Sequence, residues 1–171
     1  GGQFDADLRN LQQGYRMDAP STLTLDIHRK DQSYALFGQQ EWNINGHWTL
    51  FAGLRLDDSR LNAPFLAPRV AAVYQVSPKS SYKFLYGRAF RNPSTFERDW
   101  SPNPRIGAER IHSFEFVRER ALTKRLSGAA SVYYYRLDGL IEGVPVSEVV
   151  LQYRNVRERR VAGLALELNG Q

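Results

Sequence analysis

The segment between Phe90 and Arg110 combines basic and aromatic side chains that suit the binding of oxygen-rich anions. The candidate ligand-binding residues in it are Arg91, Phe96, Arg98, Trp100, Arg105 and Arg110. Arginine donates paired N–H bonds to carboxylate, catecholate or phosphate oxygens, and aromatic rings suit flat ligands. The same arginines could instead form ion pairs with Glu97, Asp99 and Glu109. The residues alone leave both interpretations open.

Histidines and carboxylates are not spaced for catalysis or for metal binding. The histidines stand far apart in the chain, at His28, His47 and His112. His112 and Ser113 are neighbours, so on a strand they would point to opposite faces and could not act as a base and its nucleophile. Glu115 and Glu119 would share a strand face but lie about 13 Å apart, too far for a catalytic carboxylate pair. We therefore expect no enzyme activity, no metal site and no cofactor.

The composition of the 171 residues excludes several classes of protein. A cysteine count of 0 rules out a disulfide framework and a cysteine metal site. No run of roughly 20 apolar residues is present, which rules out a helical membrane protein. Aromatic residues make up 12% of the chain, which argues against disorder. The net charge of +5 is distributed along the chain, so we expect no nucleic-acid partner.

Alternation with a period of two residues is the main structural signal in the sequence. Apolar residues alternate with polar or small ones over 49–57, 69–76, 81–87 and 161–169. Because successive side chains of a strand point to opposite faces, each segment predicts a strand with one apolar and one mixed face. The hydrophilic members of the mixed faces are Arg55, Asp57, Arg69, Gln75, Lys83 and Glu167. Less regular segments at 34–41, 113–120 and 128–138 also predict strands.

Connections of two lengths alternate along the middle of the chain. Short connections at 43–47, 77–80 and 123–125 alternate with longer ones at 57–68, 90–110 and 138–152. The pattern predicts an all-β, antiparallel up-and-down meander of about seven to eight strands, with a short helix around 94–99. Aromatic residues near the predicted strand ends favour a transmembrane β-barrel. A soluble β-sandwich or lipocalin-like barrel alternates in the same way and remains the alternative at this point.

An ordered set of short stretches resembles the barrel strands of TonB-dependent outer-membrane receptors. The stretches are YALFGQQEW at 34–42 followed by AGLRLD at 52–57, APRVAAVY at 67–74, LYGRAFRNPS at 85–94, ERIHSFE at 109–115, VYYYRLDGLI at 132–141, and YRN at 153–155 followed by VAGLALEL at 161–168. The stretch at 85–94 is the most specific of them. Ala165 departs from the pattern, since the family has Glu two residues after the glycine that matches Gly163. The resemblance extends over most of the chain.

The resemblance implies that the chain is a segment of a larger barrel. Family barrels have 22 strands, whereas the sequence predicts seven or eight, and neither a plug domain nor a terminal aromatic residue is visible. We therefore expect all of residues 1–171 to be a segment from the later half of the barrel. A complete small outer-membrane barrel of about eight strands, with a structural or adhesion role, and a soluble β-rich ligand-binding domain are the alternatives.

What the resemblance implies about function is the active uptake of a scarce nutrient across the outer membrane of a Gram-negative bacterium. Iron–siderophore chelates, haem and cobalamin are the expected small-molecule ligands. The expected partners are membrane lipid, lipopolysaccharide and the TonB energy-coupling protein, which acts through a plug domain. The hydrophilic side chains of the mixed faces are expected to face the lumen, because charges on the lipid side cost a few kcal/mol near the midplane. These side chains are Arg55, Asp57, Arg69, Gln75, Lys83 and Glu167.

Overall fold

The computed structural model describes residues 1–16, 22–59, 62–99, 106–146 and 151–170. Its elements are β1 (Gly2–Arg16), β2 (Thr22–Asn45), β3 (Trp48–Ser59), β4 (Asn62–Ser77), β5 (Ser80–Arg91), α1 (Thr95–Asp99), β6 (Glu109–Ala121), β7 (Leu126–Asp138), β8 (Ile141–Pro145), β9 (Leu151–Asn155) and β10 (Arg159–Gly170). Within these ranges, no helix is both long and apolar enough to cross a bilayer. The helix predicted around 94–99 is confirmed as α1.

The strands form one antiparallel sheet in which each strand pairs with the next along the chain. The order is β1-β2-β3-β4-β5-β6-β7-β10, and β8 and β9 form a separate hairpin within the connection from β7 to β10. The predicted antiparallel meander is therefore confirmed. Strands β1 and β10 lie at the two edges of this eight-stranded sheet, so the described strands form an open sheet.

The register brings the apolar rows of neighbouring strands together on one face. Residues directly opposite each other on antiparallel strands share a face of the sheet. One cross-strand row runs through Trp42, Leu50, Ala72, Phe84, Phe116, Val132 and Leu164. We call the side of the sheet that carries this row the apolar face, and the opposite side the polar face. The alternation seen in single strands thus becomes a continuous surface across seven strands.

The apolar face is open, because no other layer of the described chain packs on it. Leu164 and Leu166 on β10 are 65% and 75% exposed, and Val132 on β7 is 55% exposed. The buried hydrophobic residues among the described ones are few, namely Phe65, Ile106 and Ile141. Exposing apolar surface to water costs roughly 25 cal/mol per Å². The sheet therefore needs an apolar environment outside the described part of the chain.

The prediction of a long loop over 57–68 is wrong. Strand β3 continues to Ser59 and β4 begins at Asn62, so the two strands extend through most of that segment. The segment contains Pro64 and Pro68, and proline cannot donate to a β-ladder. In the fold β4 pairs with β5 only from Arg69 onward, so both prolines lie where β4 has a neighbour on one side only. The segment 138–152 also contains more structure than a loop, since β8 and β9 pair there.

Gly163 on β10 lies directly opposite Tyr133 on β7. A Cβ atom added to Gly163 would overlap the ring and hydroxyl of Tyr133, which therefore cover the glycine. The Tyr133 ring in turn stacks on Tyr135, with centroids 5.1 Å apart. Glycine at this position leaves room for a cross-strand aromatic ring that shields the backbone.

Replacing Gly163 with valine should destabilise the protein, because the new side chain would take the space of the Tyr133 ring. Overpacking of this kind typically costs about 1–3 kcal/mol. The matched control is Gly38→Val on β2, where an added Cβ would meet nothing within 4 Å. Urea unfolding of the complete protein in lipid vesicles measures both variants. Equal stability of the two variants would contradict the role given to Gly163.

Candidate functional site

The polar face carries ion pairs that run along and between strands. On β3, Arg55 and Asp57 lie two residues apart and form an ion pair with an N–O distance of 2.7 Å. Between β5 and β6, the Lys83 ammonium lies 2.6 Å from Glu119, and the Ser81 hydroxyl donates to the same carboxylate over 3.2 Å. These partly exposed pairs keep charged groups on this face hydrogen-bonded while leaving them in contact with water.

Two depressions lie mainly on the polar face. One, of about 440 Å³, lies near the short turns and is lined by Gln75, Ser81, Glu119 and Glu167 among others. The second, of about 490 Å³, lies nearer mid-sheet and is lined by residues that include Arg69, Glu115 and Tyr135. Gln75 is on β4 and Glu167 on β10, four strands further along the sheet, yet both line the first depression. The sheet is therefore concave on its polar side.

The hydrophilic residues singled out in the sequence share this face. The register places Arg55, Asp57, Arg69, Gln75, Lys83 and Glu167 on the side opposite the apolar row. That this side lines a lumen stays a prediction. Sequence reasoning missed Glu115 and Glu119 as members of the face, although their alternation with Phe114 and Phe116 in β6 carried the signal.

The segment after β5 is shaped by a capping box at the start of α1. The Glu97 carboxylate accepts the main-chain N–H of Ser94 over 2.7 Å, and the main-chain N–H of Glu97 donates to the Ser94 hydroxyl over 3.2 Å. This reciprocal pair satisfies donors at the first turn that have no partner inside the helix. The sequence Ser-Thr-Phe-Glu at 94–97 thus caps the first turn of the short helix.

Arg91 joins the end of β5 to α1 and to β6. Its guanidinium forms a paired contact with Glu97, at 2.9 and 3.0 Å, and donates through Nε to Glu109 at 2.7 Å. The other oxygen of Glu109 accepts the main-chain N–H of Ile141 at the start of β8, over 2.7 Å. A single arginine and two carboxylates therefore hold the helix, the strand end and the β8–β9 hairpin together.

Asn155 fastens the other side of the same assembly. Its side-chain amide donates to the carbonyls of Gly107 and Gly139 and accepts the N–H of Gly107. Gly139 has a φ of 66°, a left-handed conformation that glycine adopts without strain. The Phe96 ring meets Tyr153 of β9 edge-on, with centroids 5.8 Å apart. We call α1, residues 106–108 and the β8–β9 hairpin the loop cluster.

The structure separates the residues predicted to bind a ligand. Arg91 is occupied by Glu97 and Glu109, which is the ion-pair alternative recognised in the sequence. Phe96 and Arg98 lie in α1 within the loop cluster. Arg110 lies in β6 opposite Phe90 and Asp138, in register with the apolar face. Trp100 and Arg105 lie outside the described residues, and ligand binding by any of these residues stays a prediction.

The hydrogen bonds from Arg91, followed by those from Ser94, hold the pKa of Glu97 below its usual value of 4.5, against the opposing effect of partial burial. A carboxyl with a lowered pKa stabilises the folded loop above its unfolded pKa and loses that effect as the pH falls through the folded pKa. Among the described residues, no group of histidines and carboxylates is placed to hold a metal ion.

Acidification should release α1 from the sheet at a pH below about 4.5. In hydrogen exchange corrected for intrinsic rates, we expect the amides of Glu97 and Arg98 to keep their protection from neutral pH to about 4.5 and to lose it as the pH falls through the lowered pKa of Glu97. Glu97→Gln should lower that protection already at neutral pH. The control Arg110→Gln removes a nearby positive charge without touching the Arg91 contacts. Protection unaffected by Glu97→Gln would refute the anchoring role.

The sequence of this chain matches a family of β-barrel proteins. The family profile described as "TonB dependent receptor-like, beta-barrel" matches residues 1–171. No curated protein matches the chain significantly in sequence.

Solved structures share the fold of this chain at low sequence identity. The siderophore receptor PirA from Pseudomonas aeruginosa superimposes with a TM-score of 0.74 at 18% identity, over 81% of this chain and 31% of its own. A mutant of the ferric enterobactin receptor PfeA from the same species gives 0.72 at 17% identity, over 82% of this chain and 24% of its own. The FrpB iron transporter from Neisseria meningitidis gives 0.69 at 16% identity, over 83% and 24%.

The chain thus spans less than a third of the length of these receptors, and the likeness to them shows the fold. The family profile covers the chain from its first residue to its last. The two-faced meander, the concave polar side and the loop cluster agree with that match. This chain belongs to the TonB-dependent receptor-like β-barrel family.

Proposed function

We propose that the chain forms part of the wall of an outer-membrane receptor in a Gram-negative bacterium, and that the complete receptor imports a scarce nutrient. The observation that carries the proposal is the two-faced sheet, apolar and open on one side, polar and concave on the other. In a bilayer the apolar rows contact acyl chains, and the polar rows surround water. A wall with lipid on one side and water on the other can enclose a passage for a solute, which is why we propose transport.

The extent of the sheet supports a segment of a large barrel over a complete small one. Closure would require β1 to pair with β10, and in the described sheet these strands lie at opposite edges. A soluble domain would leave the apolar face in water, at the cost given above. In the proposed receptor the remaining strands and the plug domain are supplied by other parts of the protein, and TonB acts on that plug.

The concave polar face supplies the inner wall in this proposal. Arg69 lines the mid-sheet depression, while Gln75 and Glu167 line the depression near the short turns. Lys83 and Arg55 are held by carboxylates, so their charges are balanced without being removed from water. Such a surface suits contact with a plug and passage of a polar solute, since its groups exchange hydrogen bonds with water at little cost.

The loop cluster is the proposed ligand-contacting element. Its helix and hairpin are fixed to the sheet by Arg91 and Asn155, so the surface they present is preorganised. Phe96 remains 37% exposed beside Tyr153 and offers an aromatic surface to a flat ligand. Arg91 acts as the anchor of the cluster, and Arg98, Trp100 and Arg105 are the proposed direct contacts. Arg110 faces the apolar side, so we propose that it contacts lipopolysaccharide and not the transported ligand.

An iron chelate is the ligand class that we propose first. Arginine and aromatic side chains together suit a flat, anionic chelate with carboxylate or catecholate oxygens. The solved relatives named above are a siderophore receptor, a ferric enterobactin receptor and an iron transporter, which adds weight to iron. Haem and cobalamin remain the alternatives within the same transport mechanism.

Deleting the gene for the complete receptor should abolish uptake of radioactive iron from one class of ferric chelate, and a proton uncoupler should do the same in the wild type. Complementation with Phe96→Ala should raise the half-saturating concentration roughly fivefold, for a lost aromatic contact of about 1 kcal/mol. Phe84→Ala on the apolar face is the matched control and should transport normally. Undiminished uptake of ferric chelates, haem and cobalamin after deletion would overturn the proposal.

A further inference from the structure

A set of cations lies where β5, β6 and β7 meet their short turns. We call Lys79, Arg118, Arg120, Lys124 and Arg125 the basic patch, and all of them are exposed. Lys79 belongs to the β4–β5 turn, and Lys124 and Arg125 belong to the β6–β7 turn. The Lys79 carbonyl accepts the main-chain N–H of Ala121 over 2.8 Å, so the two turns lie side by side. The patch is therefore one continuous surface.

The charge of the basic patch is not balanced by carboxylates. Within the described residues, its side chains form no ion pair, and Glu119, which stands between Arg118 and Arg120 in the sequence of β6, points to the opposite face and binds Lys83. At the long-loop end, by contrast, Arg136 pairs with Asp138 and Glu158, and Arg159 pairs with Glu142. The short-turn end thus carries a group of cations without carboxylate partners among the described residues.

The basic patch adjoins the apolar face directly. Arg118 and Arg120 share that face of β6, and Arg120 lies opposite Ser80 and Gly128, whose small size leaves space around it. Leu122 and Leu168 flank the same glycine, each within 4 Å of where its Cβ would be. These leucines are 52% and 71% exposed. A cation beside exposed apolar surface can bind the anionic headgroup of an amphiphile while the apolar surface contacts its hydrocarbon chain.

Arg118 is the member of the basic patch that lies furthest from the turns along β6. It lies three residues before the end of β6, which is about 10 Å along the strand. Its guanidinium lies 5.5 Å from the centre of the Tyr82 ring, a cation–π contact made on the apolar face. A long side chain in this position keeps its stem on apolar surface and its charge at the interface.

We propose that the basic patch binds the anionic headgroup of a phospholipid in the leaflet that the short turns reach, with the acyl chains along β6 and β7. The inference rests on the proposed function, because it needs the apolar face to contact lipid. The recognised chemistry is a phosphate with a net negative charge. The adjoining leucines select a lipid phosphate over the free anion, and over an acidic protein segment, which would not cover them.

Native mass spectrometry of the complete receptor in detergent tests the inference, with phosphatidylglycerol, phosphatidylcholine and inorganic phosphate as separate probes. We expect the wild type to retain phosphatidylglycerol in preference to phosphatidylcholine. Arg118→Gln with Arg120→Gln should weaken that retention roughly 30-fold, since each cation near a charged lipid surface contributes about fivefold. Lys124→Gln with Arg125→Gln changes only the turn and should weaken it in the same direction without altering the strands.

The control is Arg154→Gln with Arg157→Gln, which removes the same charge at the opposite end of the strands, with Arg154 in β9 of the loop cluster, and should leave lipid retention unchanged. Equal retention of the two lipids, or unchanged retention in both basic-patch variants, would overturn the inference. Displacement by inorganic phosphate at equal concentration would make the surface a simple anion site, and binding of polyglutamate in place of lipid would make it a protein surface. Either result also overturns the inference of a lipid site. Normal iron uptake by cells that carry the receptor would show that the proposed function stands in that case.

Discussion

The apolar face of the sheet is not covered by any described part of the chain, so it must be covered by an apolar environment outside these residues. In a water-soluble β protein, the apolar rows of two sheets pack together and form a core. Here the row from Trp42 to Leu164 crosses seven strands and remains open. Hydrogen bonds between neighbouring strands hold the sheet together, while the apolar face has to be covered by an environment outside the described chain. Lipid is the environment that can do so over such an area.

The other features follow from that constraint. If one face contacts lipid, charged groups must lie on the opposite face or at the strand ends. Arg55, Asp57, Lys83 and Glu119 lie on the opposite face and are paired there. Arg118 and Arg120 lie on the apolar side, but near the short turns. The larger connections lie at the other end, where Arg91 and Asn155 build a rigid cluster from a helix and a hairpin.

Much of the fold could be predicted because strand periodicity is a local property of the sequence. The rows at 49–57, 69–76, 81–87 and 161–169 each define their two faces without knowledge of their neighbours. The length of the β3–β4 hairpin could not be read in this way, since whether a proline breaks a strand depends on which edge it occupies. The same holds for Gly163, whose role depends on a ring of another strand.

The candidate site was less accessible to sequence reasoning for a similar reason. Arginines near Phe96 indicated anion binding, yet the partners of Arg91 are fixed by the position of Glu97 in a capping box and of Glu109 at the start of β6. Local spacing reveals the first of these and not the second. Asn155 belongs to a stretch that resembles the family, but its hydrogen-bond partners could not be inferred from local spacing, because they lie 16 and 48 positions away along the chain.

Accessibility of spin labels in the complete receptor, reconstituted in lipid vesicles, tests the central claim most directly. Labels at Leu54 and Leu166 report on the apolar face, and labels at Thr49 and Ala165 report on the polar face of the same two strands. We expect dissolved oxygen to relax the labels at Leu54 and Leu166 strongly, and a water-borne nickel complex to reach only those at Thr49 and Ala165. Nickel access to Leu54 and Leu166 equal to that of the polar-face labels would contradict it.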